Sequence, residues 1–355
     1  MRPIAATVDL GALAHNLAVA RRHAPQSKAF AVIKANAYGH GLLRSARAMS
    51  AADGFGVVEP DAAVRLREAG YVQPILLLEG PFEARELPVL VEHRIATAVH
   101  SPEQMAMLES LPAGSGLDVF LKVNTGMNRL GLQPADFAAA LAALERHPGV
   151  RGITLMTHFA TADDARGIAD ALAVFEAAVG AAKHPRSTAN SAAVLRFPQS
   201  HADWIRPGIM LYGCSPFAES IGADVGLVPA MTLASEIISV REIARGQSVG
   251  YGATFTAPDA MRIGIVACGY ADGYPRHAPT GTPVLVGDRL TRTLGRVSMD
   301  MLCVDLTGLD AARVGTRVVL WGDGNPVENV AAAAGTVGYE LLCALAPRVR
   351  IVEKA

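Results

Sequence analysis

The chain has 355 residues, 51% of them hydrophobic and 18% charged, and 32 basic residues against 33 acidic ones leave a net charge of −1. A chain this apolar can bury enough surface to offset its ordering entropy, which excludes intrinsic disorder, and its length argues for about two domains. The balanced charge lacks the basic excess of a nucleic-acid or anionic-membrane binder, so a small-molecule substrate is expected, with neither nucleic acid nor membrane as partner.

No segment offers the run of about 18 uncharged apolar residues that a spanning helix needs. Asp9, His15 and Asn16 interrupt the region where a secretory leader would place its apolar core. The four cysteines (Cys214, Cys268, Cys303, Cys343) are scattered. A disulfide framework and a metal site are therefore not expected, and residence in the cytoplasm is.

Through about residue 228, apolar runs of strand length alternate with amphipathic stretches. The runs are 29–34 (AFAVIK), 55–58, 75–79, 95–99, 117–123 (LDVFLKV), 152–157, 187–190 and 204–211. Their near-continuous apolar character is that of parallel strands covered on both faces. Asp9 reads as the cap of a helix over 10–24, while Pro60, Pro102 and Pro134 open three more. Eight strands joined by helices predict an N-terminal (β/α)8 barrel over 1–228, with the first few residues available to pair elsewhere. A doubly wound sheet is the rival, but no glycine-rich nucleotide loop is present. From 229 to 355 short β segments separated by turn residues predict a mainly β domain, with two alanine-rich helices near 327–334 and 337–345.

The chain has only five lysines, and Lys34 and Lys122 lie in or at the end of buried-strand patterns. An ammonium there must be paired or lose its proton more easily, because burial disfavours the charged form. Barrel enzymes place their chemistry at the carboxyl ends of strands, and a neutral lysine there can form a Schiff base with an aldehyde such as pyridoxal phosphate. Position alone leaves the ordinary alternatives open: Lys34 snorkelling from a strand end, or Lys122 pairing with Asp118 or Glu145.

The segment VIKANAYGHG (32–41) resembles the cofactor-lysine segment of alanine racemases. The likeness continues in order through KVNTGMNRLG (122–131), THFATAD (157–163), ANSAA (189–193), RPGIMLYG (206–213), VGYGATF (249–255), GYADGYPR (269–276) and SMDM (298–301). It implies an isomerase that interconverts L-alanine and D-alanine with pyridoxal 5'-phosphate, working as a homodimer whose active sites are shared between subunits. By this resemblance Lys34 holds the cofactor and acts on the α-proton of D-alanine. Tyr251, supplied by the partner subunit, acts on that of L-alanine. Arg206 faces the pyridine nitrogen, and Arg129 contacts the cofactor's phenolic oxygen and the substrate carboxylate. The Met299 N–H is the second carboxylate contact. Ser191, Gly208 and Ile209 receive the phosphate, with the phenols of Tyr38 and Tyr339. His158 lies near the cofactor ring, Lys122 is a candidate for carbamylation, and Tyr270 and Asp300 stand near the substrate entrance. Asp272 reads as a turn former. This chain has Asn124 where many relatives carry aspartate.

The product serves peptidoglycan as D-alanine or catabolism as L-alanine, and GTVGYELLCALA (335–346) resembles the catabolic members. Two rivals stand beside this reading. An amino-acid decarboxylase of similar fold would need partners for a longer side chain. A non-catalytic cofactor-binding barrel would lack the β domain.

Overall fold

The computed structural model describes residues 2–355, and the chain folds into two units. One comprises Ala14–Ala37 and Gly41–Leu211. The other comprises the segment ending at Leu13, Tyr38–His40 and Tyr212–Ala355.

The first unit is built on a closed barrel of eight parallel strands. In chain order they are Lys28–Val32, Gly54–Val57, Ile75–Leu77, Ile95–Val99, Leu117–Lys122, Val150–Met156, Arg186–Ser187 and Trp204–Ile205. Most of their residues are buried, as the apolar runs require. Proline opens the intervening helices Pro60–Glu68, Pro102–Leu108 and Pro134–Arg146, where its missing N–H costs nothing. The barrel interior is packed by Phe30, Leu76, Ala96, Ala98, Phe120 and Met156. The Phe30 ring stacks on Trp204 at 4.1 Å and meets Phe120 edge-on at 5.6 Å. Gly54 makes room for it, since a Cβ there would lie 2.5 Å from the Phe30 ring. A filled interior leaves the loops beyond the strand ends to carry the chemistry.

Several strands, Ile75–Leu77 and Arg186–Ser187 among them, are shorter than the apolar pattern predicts, and two such differences bear on the site. The 204–211 run is a strand only at Trp204–Ile205. Pro207 has no N–H to continue the ladder, and Ile209–Tyr212 turns as a 3-10 helix. The first strand ends at Val32, so Lys34 does not terminate it. Lys34 instead opens a turn in which Ala35, Asn36, Ala37 and Tyr38 all take positive φ, between 51° and 55°.

The second unit carries an eight-stranded sheet. Its order is Met261–Val266, Leu302–Asp305, Arg289–Leu294, Pro283–Val286, Arg317–Trp321, Met231–Ile243, Ala5–Asp9 and Arg350–Lys354. Met261–Val266 also pairs with Met231–Ile243, so the order closes on itself. All of its pairings are antiparallel except that of Ala5–Asp9 with Arg350–Lys354. Asp9 caps the following helix by accepting from Ala12 N at 2.8 Å and pairs with Lys354 at 2.8 Å. Helices Val327–Ala334 and Gly338–Cys343 complete the unit. Among the described residues, no helix is long and apolar enough to cross a membrane.

Candidate active site

The left-handed turn after Lys34 is the first unusual feature of the barrel's carboxyl rim. Such a conformation costs about 1–2 kcal/mol for each non-glycine residue, so the surroundings must enforce it. Val32 N donates to Pro207 O (3.1 Å) and Ile33 N to Gly56 O (2.8 Å), which ties the approach to Lys34 to neighbouring loops. Ala37 N closes back on Ile33 O at 2.9 Å. Asn36, a residue that tolerates this region, accepts from Gly41 N on its backbone oxygen (2.8 Å) and from Leu42 N on its side chain (2.9 Å). Lys34 is thereby fixed between two pinned segments and is half-buried.

Arg206 is buried and anchored by three acceptors. Nη1 donates to Ser187 Oγ at 2.6 Å, and Nη2 donates to Thr157 O at 2.6 Å and Thr188 O at 3.4 Å. Its Nε–H and second Nη1–H remain for a ligand. Burial pushes its pKa down to about 10, so at neutral pH it stays a cation and a pure donor. Ser187 ends a barrel strand, Thr157 and Thr188 each follow one directly, and only the structure reveals that they aim this side chain.

Lys122, at the end of the fifth strand, is buried. Burial is the main cause that pushes its pKa down to about 7. The positive charges of Arg206, Arg129 and Lys34 act in the same direction, and Glu79 opposes them. The two carboxylates that pairing would have required are engaged elsewhere: Asp118 with Arg151 at 2.5 Å and Glu145 with His184 at 2.9 Å. The pairing alternative for Lys122 is thus overturned. His158 follows the sixth strand. Its pKa falls well below the ordinary imidazole value through burial first, then through Arg206, Lys122, Arg129 and Lys34. The imidazole is neutral at neutral pH.

Arg129 is exposed on the loop after the fifth strand. Asn124 organises that loop. Its side-chain oxygen accepts from Gly126 N (3.1 Å) and Asn128 N (3.0 Å), and its amide nitrogen donates to Asn128 Oδ1 (2.7 Å). A carboxylate could accept the first two bonds but could not donate the third, which gives asparagine a local reason here. Ser191 follows the seventh strand, and its hydroxyl accepts from Gly208 N (2.8 Å) and Met210 N (3.4 Å), with Ile209 buried between them. Met210 was not singled out from sequence.

Lys34, Lys122, Arg129, His158 and Arg206 therefore share one electrostatic neighbourhood with Glu79 as the opposing charge. A site this rich in cations is built to receive anions.

The other candidates belong to the second unit. Tyr251 lies in a short turn, Tyr251–Ala253, and is 70% exposed. Met299, Tyr270 and Tyr339 are also exposed, and Asp300 is half-buried. Tyr38 stacks on Tyr212 at 4.6 Å and lies 6.1 Å from Tyr339. Burial pushes the phenols of Tyr38 and Tyr212 up, so both are neutral donors. Tyr212, which holds Tyr38 in place, was missed because it reads as a core aromatic.

Two family domains match in tandem: "Alanine racemase, N-terminal domain" over residues 8–216 and "Alanine racemase, C-terminal domain" over 230–353. The chain belongs to the alanine racemase family. A relative named alanine racemase from Nitrosospira multiformis is 60% identical over 354 residues, which is 99% of each chain. The solved structure of a biosynthetic alanine racemase from Pseudomonas aeruginosa matches with a TM-score of 0.98 at 50% identity, covering 100% of both chains. That of alanine racemase from Acinetobacter baumannii matches with a TM-score of 0.93 at 39% identity, again covering 100% of both. The fold is that of an alanine racemase, a closed parallel barrel followed by a mainly β domain. Neither rival reading gains support: both matched domains and these relatives are alanine racemases, and the match runs through the β domain that a non-catalytic barrel would lack.

Proposed function

We propose that this chain interconverts L-alanine and D-alanine on pyridoxal 5'-phosphate, as a homodimer with shared sites. The residues of the barrel rim suit that cofactor. A lysine is fixed beside the strand ends, a buried arginine keeps two donors for a ring nitrogen, and a hydroxyl with facing backbone N–H groups suits a phosphate. Bound, the cofactor supplies an electron-withdrawing ring that makes the α-hydrogen of alanine removable.

The chain's own residues do the rest. One base returns a proton to the face it left, so inversion needs two groups. Lys34 Nζ moves the proton on the D-alanine face, and the partner subunit's Tyr251 Oη moves it on the L-alanine face. Exposure of Tyr251 suits a side chain that serves another subunit. Arg129 holds the substrate carboxylate, together with the partner subunit's Met299 N–H. Arg206 only donates, so it leaves the ring nitrogen unprotonated and keeps the sink weak, which disfavours side reactions. His158 stays neutral and adds no further positive charge.

Lys122 has the properties of a carbamylation site: a share of unprotonated amine near pH 7 and cations around it. Its nitrogen adds to carbon dioxide, a proton leaves to water, and the new carboxylate orients Arg129. The likeness to the biosynthetic enzyme favours D-alanine supply for peptidoglycan over the catabolic likeness in residues 335–346.

The convergence of Lys34, Lys122, Arg129 and Arg206 around a neutral His158 carries this reading. The test is the purified protein in deuterium oxide. It is expected to show the visible band of bound cofactor and to incorporate deuterium at the α-carbon of both alanine enantiomers as they interconvert. Bound cofactor without exchange would defeat it.

A further inference from the structure

The turn at Tyr270–Asp272 contains a carboxylate that does far more than form the turn. Asp272 is completely buried. A turn needs only its local bond, Gly269 N to Oδ2 at 3.0 Å. Two arginines converge on the same carboxylate from 270 and 76 residues away. Arg2 binds it with both arms, Nη1 to Oδ1 at 2.8 Å and Nη2 to Oδ2 at 3.0 Å. Arg348 Nε donates to Oδ1 at 2.7 Å.

Both arginines also reach a second aspartate, Asp300. Arg2 Nη2 donates to its backbone oxygen at 2.8 Å, and Arg348 Nη2 to its Oδ1 at 2.6 Å. Asp300 is the neighbour of Met299. The backbone completes the connection: Tyr270 N donates to Ser298 O and Ala271 N to Met299 O, each at 3.0 Å. The two loops touch so closely that a Cβ on Gly269 would lie 2.3 Å from both Ser298 O and Met299 O. Ser298 N bonds Met301 O at 2.9 Å, closing the loop, and Met299 itself is 53% exposed.

We infer that Arg2, Asp272, Arg348 and Asp300 form a positioning clamp that holds the Ser298–Met301 loop at one geometry, so that the Met299 N–H is presented rigidly to a substrate carboxylate. The inference rests on the proposed alanine-binding role of Met299. Planar guanidinium forks fix direction as well as distance, which a lysine in the same place does not. Asp272 is buried but both arginine side chains and that of Asp300 are more than a third exposed, so the ion pairs add little stability and geometry is the better account of why one carboxylate gathers two guanidinium groups. These are positioning residues, for they act through the Met299 loop.

The test uses the cofactor-loaded protein and Arg348→Lys, which keeps the charge and loses the fork. Three readouts are taken. KM for alanine is expected to rise about tenfold, the loss of roughly one charge-assisted contact, with kcat changed less than about threefold. Binding of propionate, alanine without its amine, weakens by a similar factor. Amide hydrogen exchange across 298–301 speeds up about tenfold while exchange elsewhere holds. The cofactor's visible band stays unchanged. Should Arg348→Lys fold poorly, Asp300→Asn replaces it, since it preserves shape and weakens the side-chain link to Arg348 together with the longer one to Arg2.

Unchanged exchange at 298–301 with unchanged KM and propionate binding would overturn the clamp. So would a uniform loss of cofactor and of kcat, the sign of a merely structural role. A wild-type protein that does not racemise alanine defeats the proposed function instead, and in that case the exchange measurement alone decides whether the clamp holds the loop.

Discussion

Lys122→Met tests the electrostatic account of the rim most directly. The wild-type amine has its pKa pushed from 10.5 to about 7, mainly by burial. At about 1.36 kcal/mol per pH unit, that difference caps the cost of burying the charged amine at about 5 kcal/mol. Below about pH 7 the lysine is protonated in both folded and unfolded chains, and the full cost is felt. Between about 7 and 10.5 the unfolded chain binds a proton that the folded chain lacks, so stability rises with pH. From about pH 7 to about pH 9 the wild type is expected to recover about 2 kcal/mol relative to the variant. Methionine matches the length of the stem and carries no charge, so Lys122→Met starts as the more stable protein near pH 7 and loses that lead as pH rises.

The assay is urea unfolding of both proteins, stripped of cofactor and bicarbonate, at several pH values, with the midpoint shift converted through the slope. Adding bicarbonate labelled with carbon-13 supplies the second arm. A carbamate resonance appears in the wild type and is absent from Lys122→Met, and the pH dependence of the wild type flattens. A stability gap that stays constant from about pH 7 to about pH 9 would refute the reasoning, for it would mean that the amine never loses its proton in the fold.

Lys34→Ala is expected to abolish the visible band of covalently held cofactor together with racemisation, read by absorbance and chiral chromatography. Tyr251→Phe keeps that band and lowers racemisation by about 10²–10⁴-fold, the ordinary contribution of one positioned acid or base; a rate unchanged within twofold would remove the phenol from the mechanism. Phe30→Ala empties the middle of the barrel, where the ring is completely buried and stacked on Trp204. It should cost about 3–5 kcal/mol by chemical unfolding.

Much of the barrel was legible because parallel strands covered on both faces announce themselves as apolar runs. The strand Ile95–Val99 coincides with its run, and Leu117–Lys122 differs from its run by one residue. The structure departs from the sequence where tertiary bonds override local pattern. KANAYG carries no signal for four successive left-handed residues, since two of them are alanines, and the bonds that enforce the turn come from Gly56, Pro207 and the Asn36 side chain. Ala5–Asp9 and Arg350–Lys354 pair across nearly the whole chain length, and no local periodicity reports such a partner. Within the site, charged residues were visible as chemistry, whereas Thr157, Ser187 and Thr188 read as ordinary strand ends. Asp272 read as a turn former because its local bond to Gly269 is the only part of its environment that neighbouring residues encode.

The rim concentrates positive charge without matching carboxylates, and that imbalance ties stability to ligand. Arg206 and Lys122 are both buried, and neither forms an ion pair among the described residues. Each charge kept from water raises the free energy of the folded chain, and the nearby cations raise it further. An anion bound there relieves both costs, so its binding free energy adds directly to the stability of the fold, in proportion to RT ln(1 + [L]/Kd). Apolar replacement at Lys122 would relieve the same cost with no ligand, at the loss of the group proposed, once carbamylated, to orient Arg129. Stability and activity are thus opposed at one side chain, and a gain in melting temperature with a fall in catalysis is the outcome that this arrangement entails.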